Sequence, residues 1–99
     1  MEFKTTKEDT KLTVAIEGRL DTLSAPDLEK GLEPELSGIT DLVLDLKDLE
    51  YISSAGLRVL LNTFKSMKSS GGQMKLLNIG PNFHEVLYIT GLDAVFQVK

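Results

Sequence analysis

The chain has 99 residues, 41% of them hydrophobic and 26% charged, with 11 basic residues against 15 acidic ones. That length supports one domain over residues 1–99 rather than two, and the apolar fraction suits a folded chain with a real core. A net charge of −4 argues against nucleic acid and anionic membrane surfaces, and with no cysteine and one histidine, His84, a disulfide framework and a His/Cys zinc cluster are excluded.

The N-terminus, Met1-Glu2-Phe3-Lys4, carries no apolar signal region, and no run approaches 18 apolar residues. The expectation is a cytoplasmic protein with no membrane insertion.

A weak strand over Glu2–Thr6 precedes a clear one over Lys11–Gly18, where Leu12, Val14 and Ile16 alternate with Thr13, Ala15 and Glu17. Glu8-Asp9-Thr10 between them predicts a hairpin turn. Ser24, three residues before Asp27, and Pro26 mark a helix start, with Ala25, Leu28 and Leu32 at helical spacing. Gly31 and Pro34 weaken or break that helix. Asp41–Leu46 is a second strong strand, with Leu42, Leu44 and Leu46 on one face. After it, Leu57, Leu60, Leu61 and Phe64 give the clearest amphipathic helix, ended by Gly71-Gly72. Met74–Ile79 is a further strand. Gly80-Pro81-Asn82 starts a third helix with Phe83, Val86, Leu87 and Thr90 as its inner stripe and Gly91 past its end. Val95–Val98 is expected as a short final strand.

The expected order is ββαβαβαβ. Strands alternating with helices after the first hairpin imply right-handed crossovers and a mixed, mostly parallel sheet, an α/β fold. Consecutive crossovers of one hand put the helices mainly on one face. Leu12, Val14, Ile16, Leu42, Leu44 and Leu46 should lie beneath helices carrying Leu28, Leu57, Leu60, Leu61, Phe64 and Val86.

Ser53-Ser54-Ala55-Gly56 links a strand to a helix N-terminus, where unpaired N–H groups and the macrodipole favour anions. Helix capping in a tight turn explains such a run; so does an exposed hydroxyl that accepts a modification. A catalytic Ser54 lacks support: the G-x-S-x-G elbow needs Gly where Ile52 stands, and His84 lies far along the chain. There is no P-loop. The expectation is a protein that is not an enzyme. Asp21, Asp45, Asp48 and Glu50 follow or end strands, and Asp21 and Asp48 are expected near Ser54. Turn and cap roles account for such carboxylates, and no metal or cofactor is expected.

The run Leu44-Asp45-Leu46 followed by Tyr51-Ile52-Ser53-Ser54-Ala55-Gly56-Leu57 resembles the phosphorylation loop of STAS domains. Gly18-Arg19-Leu20-Asp21 resembles the family's G-x-L-D after the second strand. Gly72-Gln73-Met74-Lys75-Leu76 and Gly91-Leu92-Asp93-Ala94-Val95-Phe96 resemble its later G-x-x-h-x-L and G-L-x-x-h-F patterns, so the resemblance covers essentially the whole chain. Among STAS proteins, a short stand-alone chain most resembles the anti-sigma factor antagonists.

The resemblance implies partner switching. In that family the unphosphorylated antagonist binds an anti-sigma factor that is also a serine kinase, which frees the sigma factor. Phosphorylation of one loop hydroxyl dissolves the complex, and a PP2C-type phosphatase resets it. The family loop commonly runs D-S-[ST]-G with the first hydroxyl residue as acceptor, which counts back from Gly56 to Ser54. This chain departs from the pattern with Ser53 in place of Asp and Ala55 after the acceptor, so Ser53 competes as acceptor. The implied partner-binding residues are Asp21, Thr22, Ser53, Ser54, Ala55 and Gly56. Asp21 is expected to contact the partner without a stabilising role of its own. The alternative is a small STAS subunit of an ABC-type lipid or solute transport complex. A third reading is a sensor module that binds a nucleotide.

Overall fold

The hairpin that opens the chain sets the frame. In the computed structural model, which describes residues 1–98, β1 (Glu2–Glu8) and β2 (Lys11–Leu20) pair antiparallel from Glu2↔Glu17 to Glu8↔Lys11. The turn residue Asp9 takes the left-handed conformation, φ 54°, which Asp tolerates better than most side chains. Helix α1 (Ala25–Leu32), a short 3₁₀ turn (Glu33–Leu36) and β3 (Asp41–Asp45) follow. Next come β4 (Leu49–Ile52), α2 (Ser54–Ser69), β5 (Gln73–Leu77), α3 (Pro81–Thr90) and α4 (Leu92–Val95). The sheet runs β1-β2-β3-β5, with β3 parallel to both β2 and β5, and β4 parallel to the far half of β2. The expected mixed, mostly parallel α/β architecture is therefore present.

One strand serves two partners because β2 bends. Its pairing with β3 ends at Ala15↔Asp45, and its pairing with β4 begins at Gly18↔Leu49. Gly18 has φ 88° and the register shifts between Gly18 and Arg19. A glycine at positive φ makes such a bulge without a Cβ penalty and turns the strand toward new neighbours. β4 was not expected from the sequence. Its four residues show no clean alternation, and Tyr51 is exposed.

The core lies on one side of the sheet. Leu12, Val14, Ile16, Leu42, Leu44 and Leu46 are buried, as are Leu28 and Leu60 from the helices above them. Leu57, Leu61, Phe64 and Val86 are half-buried against the same cluster. The opposite face is polar, with Ala15, Glu17 and Lys75 exposed, although Val43 is covered by its neighbours. Gly31 does not break α1. It sits under the Phe3 ring, where an added Cβ would come within 2.3 Å of Phe3 Cζ, so the missing side chain makes room for β1 to pack on the helix.

Three expectations are corrected. Val95–Val98 is not a strand: α4 occupies Leu92–Val95 and the chain then turns, with Phe96 N–H donating to Leu92 O at 2.9 Å and Val98 N–H to Asp93 O at 2.8 Å. Phe96 nevertheless enters the core, edge-to-face with Phe64 at 5.5 Å. Ser24 precedes α1 but its hydroxyl does not cap it. Thr90 is exposed, and its hydroxyl bonds back to Val86 O at 2.8 Å. Among the described residues, no helix is long and apolar enough to cross a membrane.

Candidate functional site

Two loops leave the sheet side by side. β2 and β4 run parallel and end together at Leu20↔Ile52, and Ser53 N–H donates to Leu20 O at 2.9 Å. The segment Asp21–Ser24, which leads to α1, therefore stands next to Ser53-Ser54, which starts α2. The structure brings together Asp21, Thr22, Ser53, Ser54 and Ala55 as the sequence suggested. It does not bring Asp48. Gly18 N–H donates to Asp48 O at 3.0 Å, so Asp48 lies at the opposite end of β4 from Ser54. The correction follows from the bend in β2, because β2 and β3 do not end at one edge. Among the described residues, no cluster of three or more His, Asp or Glu side chains is placed to hold a metal ion.

The two serines have different surroundings. Ser53 has extended backbone, φ −93° and ψ 174°, and its Oγ accepts the Gly56 N–H at 3.3 Å. That is the N-cap geometry, which satisfies one of the orphan donors of the helix start. Ser53 is half-buried. Ser54, the first helical residue, is exposed. Its hydroxyl faces solvent at the positive end of a 16-residue helix.

Gly56 is buried at the start of α2. An added Cβ would stand 2.8 Å from Leu20 O, 2.8 Å from Ile52 Cγ1 and 2.9 Å from Leu20 Cγ. The backbone of α2 crosses the ends of β2 and β4 too closely for a side chain to enter without a shift. Gly56→Ala should destabilise by about 1–3 kcal/mol, although Ala is the better helix former by about 1 kcal/mol. Urea unfolding checks this, and a loss below about 0.5 kcal/mol would show that the crossing yields freely.

Asp21 has the turn role that accounts for such carboxylates, and through it a stabilising part that was not expected of it. Its Oδ1 accepts from Leu23 N–H at 3.0 Å, Ser24 N–H at 3.0 Å and Ser24 Oγ at 3.1 Å. Ser24 Oγ also accepts from Asp21 N–H at 2.9 Å, and its single hydrogen is shared between Asp21 Oδ1 and Arg19 O, the latter at 2.9 Å. The backbone N–H of Ser24 is the largest of the effects that hold the Asp21 carboxyl below the usual carboxylate range. A depressed pKa means that folding favours the charged form. Its contribution is complete above the unfolded value of about 3.9 and is lost as pH falls through the folded value. Asp21→Ala should therefore lower Tm at neutral pH, and the gap to the wild type should close in strong acid. Asp21→Asn, which keeps an acceptor, should fall between the two. Equal melting temperatures at neutral pH would remove this role.

The turn so held presents Thr22, exposed, and Leu23, which is 87% exposed. Leu23 was missed because an isolated leucine in a polar loop carries no periodic signal. Arg19, paired with Tyr51 across β2 and β4, stacks over that ring at 4.3 Å. A groove of about 310 Å³ runs between β4 and the start of α3, lined by Tyr51 with Leu49, Ile52, Pro81, Phe83 and Val86. His84 stands elsewhere, beside β5.

The STAS domain family model matches residues 2–99. The anti-sigma-B factor antagonist of Bacillus subtilis is 36% identical over 93 residues, which cover 94% of this chain and 85% of that protein. Among solved structures, the protein TM1081 of Thermotoga maritima superposes with a TM-score of 0.87 at 29% identity, covering 94% of this chain and 81% of that one. The Bacillus protein SpoIIAA in its phosphorylated form shares the fold, with a TM-score of 0.77 at 18% identity over 94% of this chain and 86% of that chain. The chain belongs to the STAS domain family.

Proposed function

We propose that this protein is an anti-sigma factor antagonist that works by partner switching and carries no catalytic activity of its own. The observation that supports this most is the division of labour between the two serines: Ser53 is committed to capping α2, and Ser54 offers an exposed hydroxyl one residue later. In this reading the unphosphorylated protein binds an anti-sigma factor with serine kinase activity through Thr22, Ser54, Ala55 and the turn that Asp21 holds. The kinase transfers a phosphoryl group to Ser54 Oγ, and the complex dissolves. A PP2C-type phosphatase returns the protein to its binding form. The kinship with the Bacillus subtilis antagonist supports the partner class. Ser53 is the poorer acceptor because its Oγ is held against Gly56 N–H.

The test is capture of the native complex from the source cell, with mass spectrometry of the peptide spanning Tyr51–Arg58. The expected result is a serine-kinase anti-sigma factor bound to unmodified protein, and phosphate on Ser54 in the unbound fraction. Phosphate on Ser53 alone would move the site by one residue. An unmodified loop in a stable complex with a transporter's nucleotide-binding subunit would overturn the reading.

A further inference from the structure

Strand β5 ends the sheet. Among the described residues it pairs only with β3, so its outer edge has no neighbouring strand. Gln73 N–H bonds Thr40 O at 2.8 Å, and Leu77 O accepts from Leu46 N–H at 2.9 Å, so the odd-numbered residues turn their backbone groups inward. In a parallel ladder the alternate residues, Met74 and Leu76, then direct theirs outward. Beside this edge lies a groove of about 450 Å³ whose apolar lining includes Phe64, Leu76 and Ile79, with Lys68 Nζ 5.6 Å over the Phe64 ring. Among the described residues its charged lining consists of Lys68 and Lys75, with His84 next to them and no Asp or Glu. A second depression is lined by Glu2, Glu17, Asp48 and Glu50 together with Lys47.

A lysine on a short edge strand is a common protection against aggregation. That explains Lys75 alone. It accounts neither for Lys68 on a different element nor for the missing carboxylates. A second copy of this chain is a poor occupant, since two β5 edges pairing antiparallel would bring Lys75 toward its equivalent on the same face.

We propose that the outer edge of β5 is a docking site for an extended acidic segment of a partner protein. The segment adds as a strand to Met74 and Leu76. Its side chains alternate across the sheet, apolar ones seated on Phe64 and Leu76 and acidic ones beside Lys75, with Lys68 at the rim. Ser54 and Lys68 are 14 residues apart on α2, about 21 Å at 1.5 Å per residue, so the two surfaces are separate.

The test is an amide NMR titration of the full chain with an end-blocked octapeptide of alternating valine and glutamate. Shifts are expected at Met74, Leu76, Lys68 and Lys75, with slowed hydrogen exchange at Leu76. Lys68 and Lys75 are both exposed, so the variant K68E/K75E should fold and bind about tenfold or more weakly. The same peptide N-methylated at alternate residues should not bind, and Ser54→Asp should leave peptide binding unchanged. Four results would overturn the proposal: no shift along β5 at millimolar peptide, equal binding of the N-methylated peptide, the same shifts with inorganic pyrophosphate, or self-association that protects Leu76 without peptide.

Discussion

Leu60→Ala should cost about 2–5 kcal/mol of unfolding free energy, the range for deleting three buried carbons where the walls relax only partly. Leu60 is fully buried, in the cluster where α2 meets Leu12, Val14, Leu42 and Leu44 of the sheet. A domain of this size has about 5–15 kcal/mol in total, so the loss is a large share of it. At about 4–8 °C per kcal/mol, Tm should fall by at least about 8 °C. Arg58, two residues earlier and exposed, is the control: Arg58→Ala should stay within about 0.5 kcal/mol. An unchanged urea m-value would confirm that only the native packing was altered. A cost under about 1 kcal/mol for Leu60→Ala would mean that α2 does not rest on the sheet as described.

That core was legible because two periodicities agree. Leu12, Val14 and Ile16 repeat every second residue, and Leu57, Leu60, Leu61 and Phe64 repeat at helical spacing, so each element declares its apolar face without its neighbours. The failures share a cause as well. β4 is four residues long, and its exposed Tyr51 is held by Arg19 from another strand. Val95–Val98 has strand-forming valines, but Asp93 O captures Val98 N–H and the left-handed Gly91 launches a short helix just before it. Both outcomes rest on contacts that strand periodicity does not encode: Arg19 across the sheet for β4, and for Val95–Val98 a local turn bond with Phe96 packed on Phe64.

The site was legible in composition but not in assignment. Ser53-Ser54-Ala55-Gly56 announced a helix start, and Gly18-Arg19-Leu20-Asp21 a strand end. Which serine caps is decided by backbone geometry, because only Ser53 has the extended conformation that aims Oγ at Gly56 N–H. Asp21 looked dispensable to the fold for a similar reason. Its three donors lie within the next three residues, but they converge on Oδ1 only once the turn has formed. The bend at Gly18, which separates Asp48 from Ser54, is likewise invisible without knowing that β2 changes partners.

Ser54→Asp should weaken binding to the anti-sigma partner strongly, and phosphorylation of Ser54 should weaken it by about a hundredfold, while the fold survives both. The intramolecular term is small and favourable. A phosphoryl group adds about −1.5 to −2 charges at neutral pH, and at the first turn of α2 the macrodipole stabilises negative charge by about 0.3–1 kcal/mol. Ser54 is exposed, so the added group displaces no core atom, and Ser53 keeps its cap. Tm should therefore stay level or rise slightly. The opposing term arises only in the complex. One partner carboxylate about 6 Å away, at an effective dielectric near 20, repels a unit charge by about 3 kcal/mol. Each 1.4 kcal/mol is about a tenfold change, so a single such pair accounts for the hundredfold loss. Ser54→Ala removes the acceptor without adding charge and should bind like the wild type while resisting phosphorylation. Because the pair sits at a wetted rim, the gap between Ser54→Asp and wild type should narrow as ionic strength rises toward 1 M, where the Debye length is about 3 Å. Calorimetric titration against the partner captured from the source cell, at low and high salt, measures both effects. Affinity of Ser54→Asp within twofold of wild type at low salt would show that charge at this position does not operate the switch.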